Sequence, residues 1–152
     1  MPVIGATLLR LEAANVDPTR VKLVRADVFA LLATECRVSA CFVGFPDPWP
    51  GDRGRRRLFR PSFIDLLASR LDNNNQSSSR FPQPPPLALA TDVADYADHA
   101  RELLADQGWP ELYASCDAPR PHWRPLTKYE QRGLDAGRSI WDLAWTLPPP
   151  EA

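Results

Sequence analysis

Apolar positions recur at helical spacing over residues 7–14, where Leu8 and Leu11 stand among alanines and Pro18 lies just beyond. That spacing predicts a helix ending before the proline. Val21–Asp27 instead alternates apolar and polar residues, the period of a strand. Asp27 is then placed to cap a short helix carrying Val28, Phe29, Leu31 and Leu32. Cys41–Phe45 is a continuous apolar run, as in a buried parallel strand. Pro46-Asp47-Pro48-Trp49-Pro50 stops it, because proline offers no N–H to a helix or ladder. Pro61 opens a helix with Phe63, Leu66, Leu67 and Leu71 on one face.

Residues 72–86 carry an asparagine, serine and proline tract with nothing to bury, and they predict a flexible insert. Leu87–Ala90 reads as a strand. Asp92 is expected to cap the following helix, whose apolar face is Val93, Tyr96, Ala97, Ala100, Leu103 and Leu104, and Gly108 and Pro110 end it. A proline-rich loop leads to a helix over Thr127–Gly137 and a last apolar strand, Ile140–Thr146; residues 148–152 form a tail expected to be disordered. Strands alternating with helices predict an α/β fold around a mainly parallel sheet, forming one domain over 1–147.

Composition adjusts this picture in three ways. Prolines number 17 of 152, about twice the usual ~5%, and their clusters mark the loops. A formal charge of −1 excludes a general affinity for nucleic acid or anionic membrane, so any such partner must meet a local patch. Three cysteines, Cys36, Cys41 and Cys116, form no metal-type pair and read as reduced thiols, so no metal is expected. With no apolar run of membrane-spanning length and no signal-peptide pattern at the start, the chain reads as cytoplasmic.

Four segments could carry chemistry. Asp47, locked between two prolines after a strand, lies where ligands bind in open α/β sheets; a rigid turn with Asp47 as a cap fits equally. Arg53, Arg55, Arg56, Arg57 and Arg60 follow within eight residues, opposed only by Asp52. They suit phosphate contacts, or else form a solvated charge run. Thr91-Asp92 again follows a strand, and Asp92 can be a cap, a site carboxylate or both. Thr127 and Glu130, in Arg124-Pro125-Leu126-Thr127-Lys128-Tyr129-Glu130, have capping-box spacing, which alone would explain them.

Together these segments resemble the tRNA (guanine-N7)-methyltransferase family, from about Leu8 to Trp145. The pieces that carry the likeness are Ala26-Asp27, Phe45-Pro46-Asp47-Pro48-Trp49, Arg56-Arg57-Leu58, Thr91-Asp92 with Tyr96, and Arg124-Pro125 with Thr127-Lys128-Tyr129-Glu130. The resemblance implies a class I, Rossmann-like methyltransferase fold and methyl transfer from S-adenosylmethionine to N7 of a guanine in the tRNA variable region. It implies that Asp47 lies at the catalytic centre and, with Asp27, contacts the cofactor. It implies further that Asp92, Thr127, Lys128, Tyr129 and Glu130 hold the substrate, and that Arg53, Arg55, Arg56 and Arg57 meet tRNA.

The chain departs from the family pattern in two places. Gly51 stands where a lysine follows the tryptophan, and Gly54 interrupts a basic loop about one residue short. No Gly-x-Gly turn follows a strand, so the front of the cofactor site is expected to be missing and the fold to be N-terminally truncated. In the family's sheet order, 3-2-1-4-5-7-6, the absent pair would sit between Val21–Ala26 and Cys41–Phe45. A missing N-terminal segment or a partner chain would then complete the sheet. The alternative to an enzyme is a catalytically inactive tRNA-binding remnant or an accessory subunit.

Overall fold

The computed structural model describes residues 2–51, 55–72, 85–116 and 120–149. The predicted insert, at 73–84, and the end of the predicted tail, at 150–152, lie outside the described residues, as does Arg53.

Four strands form one sheet: β1 (Cys41–Gly44), β2 (Leu87–Thr91), β3 (Glu111–Cys116) and β4 (Trp141–Trp145), in the order β1-β2-β4-β3. That order matches the 4-5-7-6 half of the sheet expected of a class I methyltransferase. β1 and β2 run parallel, whereas β4 is antiparallel to both β2 and β3. By strand direction β1, β2 and β3 run one way and β4 runs against them, in agreement with the mainly parallel sheet read from the sequence. β3 is a strand the apolar pattern did not reveal. Its exposed Glu111, Leu112 and Tyr113 lack a buried run, and it returns the chain to the sheet's edge.

The core lies on one face. Leu87 and Leu89 of β2 and Leu143 and Trp145 of β4 alternate toward it. Two helices cover them, α3 (Pro61–Arg70) with Phe63, Ile64 and Leu67, and α4 (Ala94–Asp106) with Tyr96, Ala97, Ala100 and Leu104. Phe59 joins them, with ring centroids 5.9 Å from Phe63 and 6.0 Å from Tyr96. Each leucine, isoleucine or phenylalanine among them, fully buried, stabilises the fold by roughly 1.5–3 kcal/mol relative to exposure. The opposite face carries Ala88, Ala90, Asp142 and Ala144. The loop before α5 (Lys128–Asp135) reaches that face at Asp142, through Arg124.

The N-terminal region is built differently. α1 (Pro2–Ala13) ends where Asn15 takes a left-handed φ of 52° and Val16 N–H bonds back to the Leu11 carbonyl. Residues 21–27 form no helix and have no ladder partner among the described residues, so the predicted strand Val21–Asp27 is not one. Val21, Leu23 and Val24 stay exposed, as do Leu8 and Leu9. The alternation is present; a neighbour to supply hydrogen bonds is not. α2 (Val28–Leu32) does begin as expected, with the Asp27 carboxylate accepting from Phe29 N–H at 2.7 Å.

Candidate active site

β1 pairs with β2 to its last residue, and Phe45 N–H extends the ladder to the Ala90 carbonyl at 2.7 Å. The chain then leaves the sheet abruptly. Phe45 has φ 52° and Trp49 φ 39°, both in the left-handed region that non-glycine residues rarely adopt. Between them Asp47 stands exposed, and no donor among the described residues contacts its carboxylate. Among the described residues Asp47 caps no backbone N–H. Asp47 lines a pocket of about 470 Å³ together with Asp27, Phe29, Trp49, Arg56 and Arg60. Two carboxylates from separate segments thus share a cleft beside the carboxyl end of a parallel strand.

The fold sorts the arginine run rather than exposing it uniformly. Arg55 and Arg56 are exposed, and the Arg56 guanidinium stacks 4.7 Å above the Trp49 ring. Arg60 lies 4.3 Å over Phe29 and donates to the Arg55 carbonyl at 2.9 Å. Arg57, by contrast, is 1% exposed. It donates to the Pro48 carbonyl at 2.6 Å and to the Asp95 carboxylate at 2.5 Å. Beneath it lies Tyr96, whose ring centroid is 4.9 Å away. Burial pushes the Tyr96 hydroxyl's pKa up, against the opposing effects of the Phe59 N–H bond and the Arg57 charge.

A second cluster gathers at the end of β2. Asp92 does not cap α4: Val93 is the N-cap, its N–H bonds to Thr91 Oγ1 at 3.2 Å, and Asp92 pairs with Arg138 at 2.7 Å. The expected capping box of α5 is present, with Glu130 N–H bonded to Thr127 Oγ1 at 3.1 Å. Glu130 is buried and bound through both oxygens to Arg124, at 2.5 and 3.2 Å, while Arg124 also grips Asp142 with two bonds of 2.8 Å. Burial alone would raise the Glu130 pKa, but the hydrogen bonds and charge of Arg124, with Arg120 and Thr127 N–H, hold it below the usual carboxylate value. Glu130 is thus tied to the loop before α5 through Arg124. Lys128 and Tyr129, the latter 63% exposed, project from this braced helix start.

Of the residues singled out in the sequence, Asp27, Asp47, Arg56 and Arg57 line one pocket, whereas Asp92 and Thr127–Glu130 do not line it. Sequence reasoning did not single out Trp49, Asp95, Arg138 or Asp142 for the site. Only Trp49, an aromatic beside an arginine run, left a local signal. Among the described residues no group of His, Cys, Asp or Glu could hold a metal, and no helix is long and apolar enough to cross a membrane. Burial pushes the Cys41 thiol up to about 11, which keeps it protonated and unreactive.

The strand order β1-β2-β4-β3 fits half of a class I methyltransferase sheet, and the family comparison agrees. Residues 2–143 match the family described as "Putative methyltransferase", and the chain belongs to it. Among its relatives it is 36% identical over 147 residues to a tRNA (guanine-N(7)-)-methyltransferase of Nitrosospira multiformis, covering 93% of this chain and 58% of that protein. It is 38% identical over 144 residues to the protein of that name from Bordetella pertussis, covering 92% and 52%. The corresponding figures for Nitrosomonas eutropha are 36% over 149 residues, 95% and 61%. These relatives bear out the family likeness read from the sequence. The chain spans about half to three-fifths of their length.

Proposed function

We propose that this chain takes part in methyl transfer from S-adenosylmethionine to N7 of a guanine in the variable region of tRNA, in the cytoplasm. One observation carries the reading: Asp47, whose carboxylate meets no donor among the described residues, lies in a pocket shared with Asp27 and bordered by the exposed Arg56. The cofactor would be held at Asp27 and Asp47, whose carboxylates suit its cationic groups, and it would supply an electrophilic methyl group there. The pocket's volume falls within the range of small-ligand sites. A glycine-rich turn after a strand, which the family likeness would add to this lining, is not found among the described residues.

Guanine N7 has a free lone pair, so no strong base is required; alignment is. Asp47 would orient the base edge or stabilise the positive charge that the base acquires. Arg53, Arg55 and Arg56 would contact phosphates, and Lys128 and Tyr129 would meet the substrate from the braced start of α5. Asp92, Thr127 and Glu130 would act by holding that segment. Transfer of labelled methyl to tRNA, followed by mapping of 7-methylguanosine, is the test. Asp47→Asn keeps the shape and removes the charge, so the rate should fall roughly 30- to 1,000-fold while the melting temperature barely moves. A variant that melts early yet keeps the rate of its folded fraction would make Asp47 structural.

A second reading is favoured by the outer edge of β1, which pairs with no strand among the described residues, and by the exposed Val21, Leu23 and Val24 nearby in sequence. A partner chain or a further N-terminal segment would complete the sheet there. Binding of tRNA without methyl transfer by the purified chain would support this accessory or tRNA-binding role.

A further inference from the structure

The residues around Asp47 have almost nothing of their own to hold them. Pro46 and Pro48 carry no N–H. Among the described residues a single hydrogen bond reaches residues 46–48, from Arg57 Nε to the Pro48 carbonyl at 2.6 Å. The strained φ values of Phe45 and Trp49 at either side persist only if the surroundings enforce them. Phe45 is fixed by its ladder bond to Ala90. The far side of the turn is fixed by Arg57.

Arg57 is itself anchored. Its side chain is fully buried, one terminal nitrogen donates to the Asp95 backbone carbonyl at 3.2 Å, and the other donates to the Asp95 carboxylate. Its flat face rests on Tyr96. Asp95 and Tyr96 belong to the first turn of α4, which packs on the core. The planar guanidinium therefore ties the first turn of a core helix to the turn bearing Asp47, with each of its three nitrogens given a specific acceptor.

We infer that Arg57, braced by Asp95, is a positioning residue for Asp47 and not an RNA contact, although it sits in the middle of the basic run. This rests on the proposed methyl transfer for its catalytic consequence, and on geometry alone for its effect on the turn. Lysine at this position keeps the charge but cannot satisfy Pro48 and both Asp95 acceptors together.

Arg57→Lys in the full 152-residue chain tests this, with Asp95→Asn as a second variant that leaves the arginine and the surface half of the clamp in place. NMR order parameters of the Asp47 and Trp49 backbone amides should fall clearly in Arg57→Lys and less in Asp95→Asn. The tRNA affinity should stay within about twofold, with its salt dependence unchanged. Turnover should fall about 10- to 100-fold at constant KM for tRNA, the signature of a misplaced group and not of lost binding. Unchanged order parameters at Asp47 and Trp49, or a salt slope reduced by one phosphate contact, would overturn the inference. Should the unsubstituted chain transfer no methyl group, the proposed activity fails, while order parameters and salt slope still decide the role of Arg57.

Discussion

The Arg124 network makes the largest single stability prediction. Arg124 is fully buried and shares four hydrogen bonds between Glu130, on α5, and Asp142, on β4. Arg124→Leu leaves two carboxylates in place with side chains 4% and 8% exposed. Arg120, 3.3 Å from Glu130, can compensate only one of them. Breaking a buried ion pair in this way costs about 3–5 kcal/mol, because an uncompensated charge remains in a low dielectric. Against a total of roughly 5–15 kcal/mol for a domain, that is a large fraction. At about 2–4 °C per kcal/mol, the melting temperature should fall by roughly 6–20 °C.

Chemical denaturation at neutral pH measures the loss, and a triple variant separates charge from packing. Arg124→Leu combined with Glu130→Gln and Asp142→Asn removes every charge that Arg124→Leu strands, and it should recover much of the stability. The pH arm follows from Glu130, whose carboxyl titrates below its ordinary value of 4.5 in the folded chain. A group depressed in this way contributes stability above pH ~4.5 that is lost as pH falls through the folded value. Arg124→Leu should abolish that acid dependence. A loss below about 1 kcal/mol, or an unchanged acid limb, would refute a charge network closed to water.

Three further outcomes are expected. Replacing Arg55 and Arg56 with alanine should weaken all tRNAs alike and reduce the salt slope by up to two phosphate contacts, roughly 0.7–0.9 log units each, as read by filter binding across salt concentrations. Calorimetry on the chain alone should find S-adenosylmethionine binding weaker than micromolar, since Asp27 and Asp47 form only one wall; micromolar affinity would show that the wall suffices. Gly133→Ala would bring a methyl group 3.1 Å from Ile140 Cδ1 and 3.2 Å from Asp92 Cβ, so thermal melting should show a loss of about 1–3 kcal/mol despite alanine's better helix propensity, about 1 kcal/mol.

Where burial drives structure, the sequence was readable. The apolar faces of α3 and α4 and the capping box at Thr127 follow from local spacing; Cys41–Gly44 is a parallel strand as read, but half-exposed and not buried. What failed depended on neighbours that spacing does not encode. Val21–Asp27 has the alternation of a strand and no strand to pair with among the described residues, while Glu111–Cys116 has weak alternation and a complete partner in β4. Asp92 lost its capping role because the Thr91 hydroxyl already serves Val93 N–H, and a cation 46 positions away, Arg138, claims the carboxylate.

The same distinction separates the site's acids. Asp92, Glu130 and Asp142 each meet an arginine, and those pairs fix α5 against the ends of β2 and β4. Asp47 meets none among the described residues, though Arg56 and Arg57 line the same pocket. Arg57 is turned away to Asp95, and Arg56 lies over Trp49. An internal ion pair at Asp47 would stabilise the turn but would leave its charge satisfied before any ligand arrived. Holding the carboxylate through its backbone instead keeps the charge available in a fixed place, which is what binding a cationic methyl donor or a developing cation requires. The arginines next to Asp47 therefore divide by geometry: the one that fixes the turn is buried, and those that could meet phosphate stay at the surface.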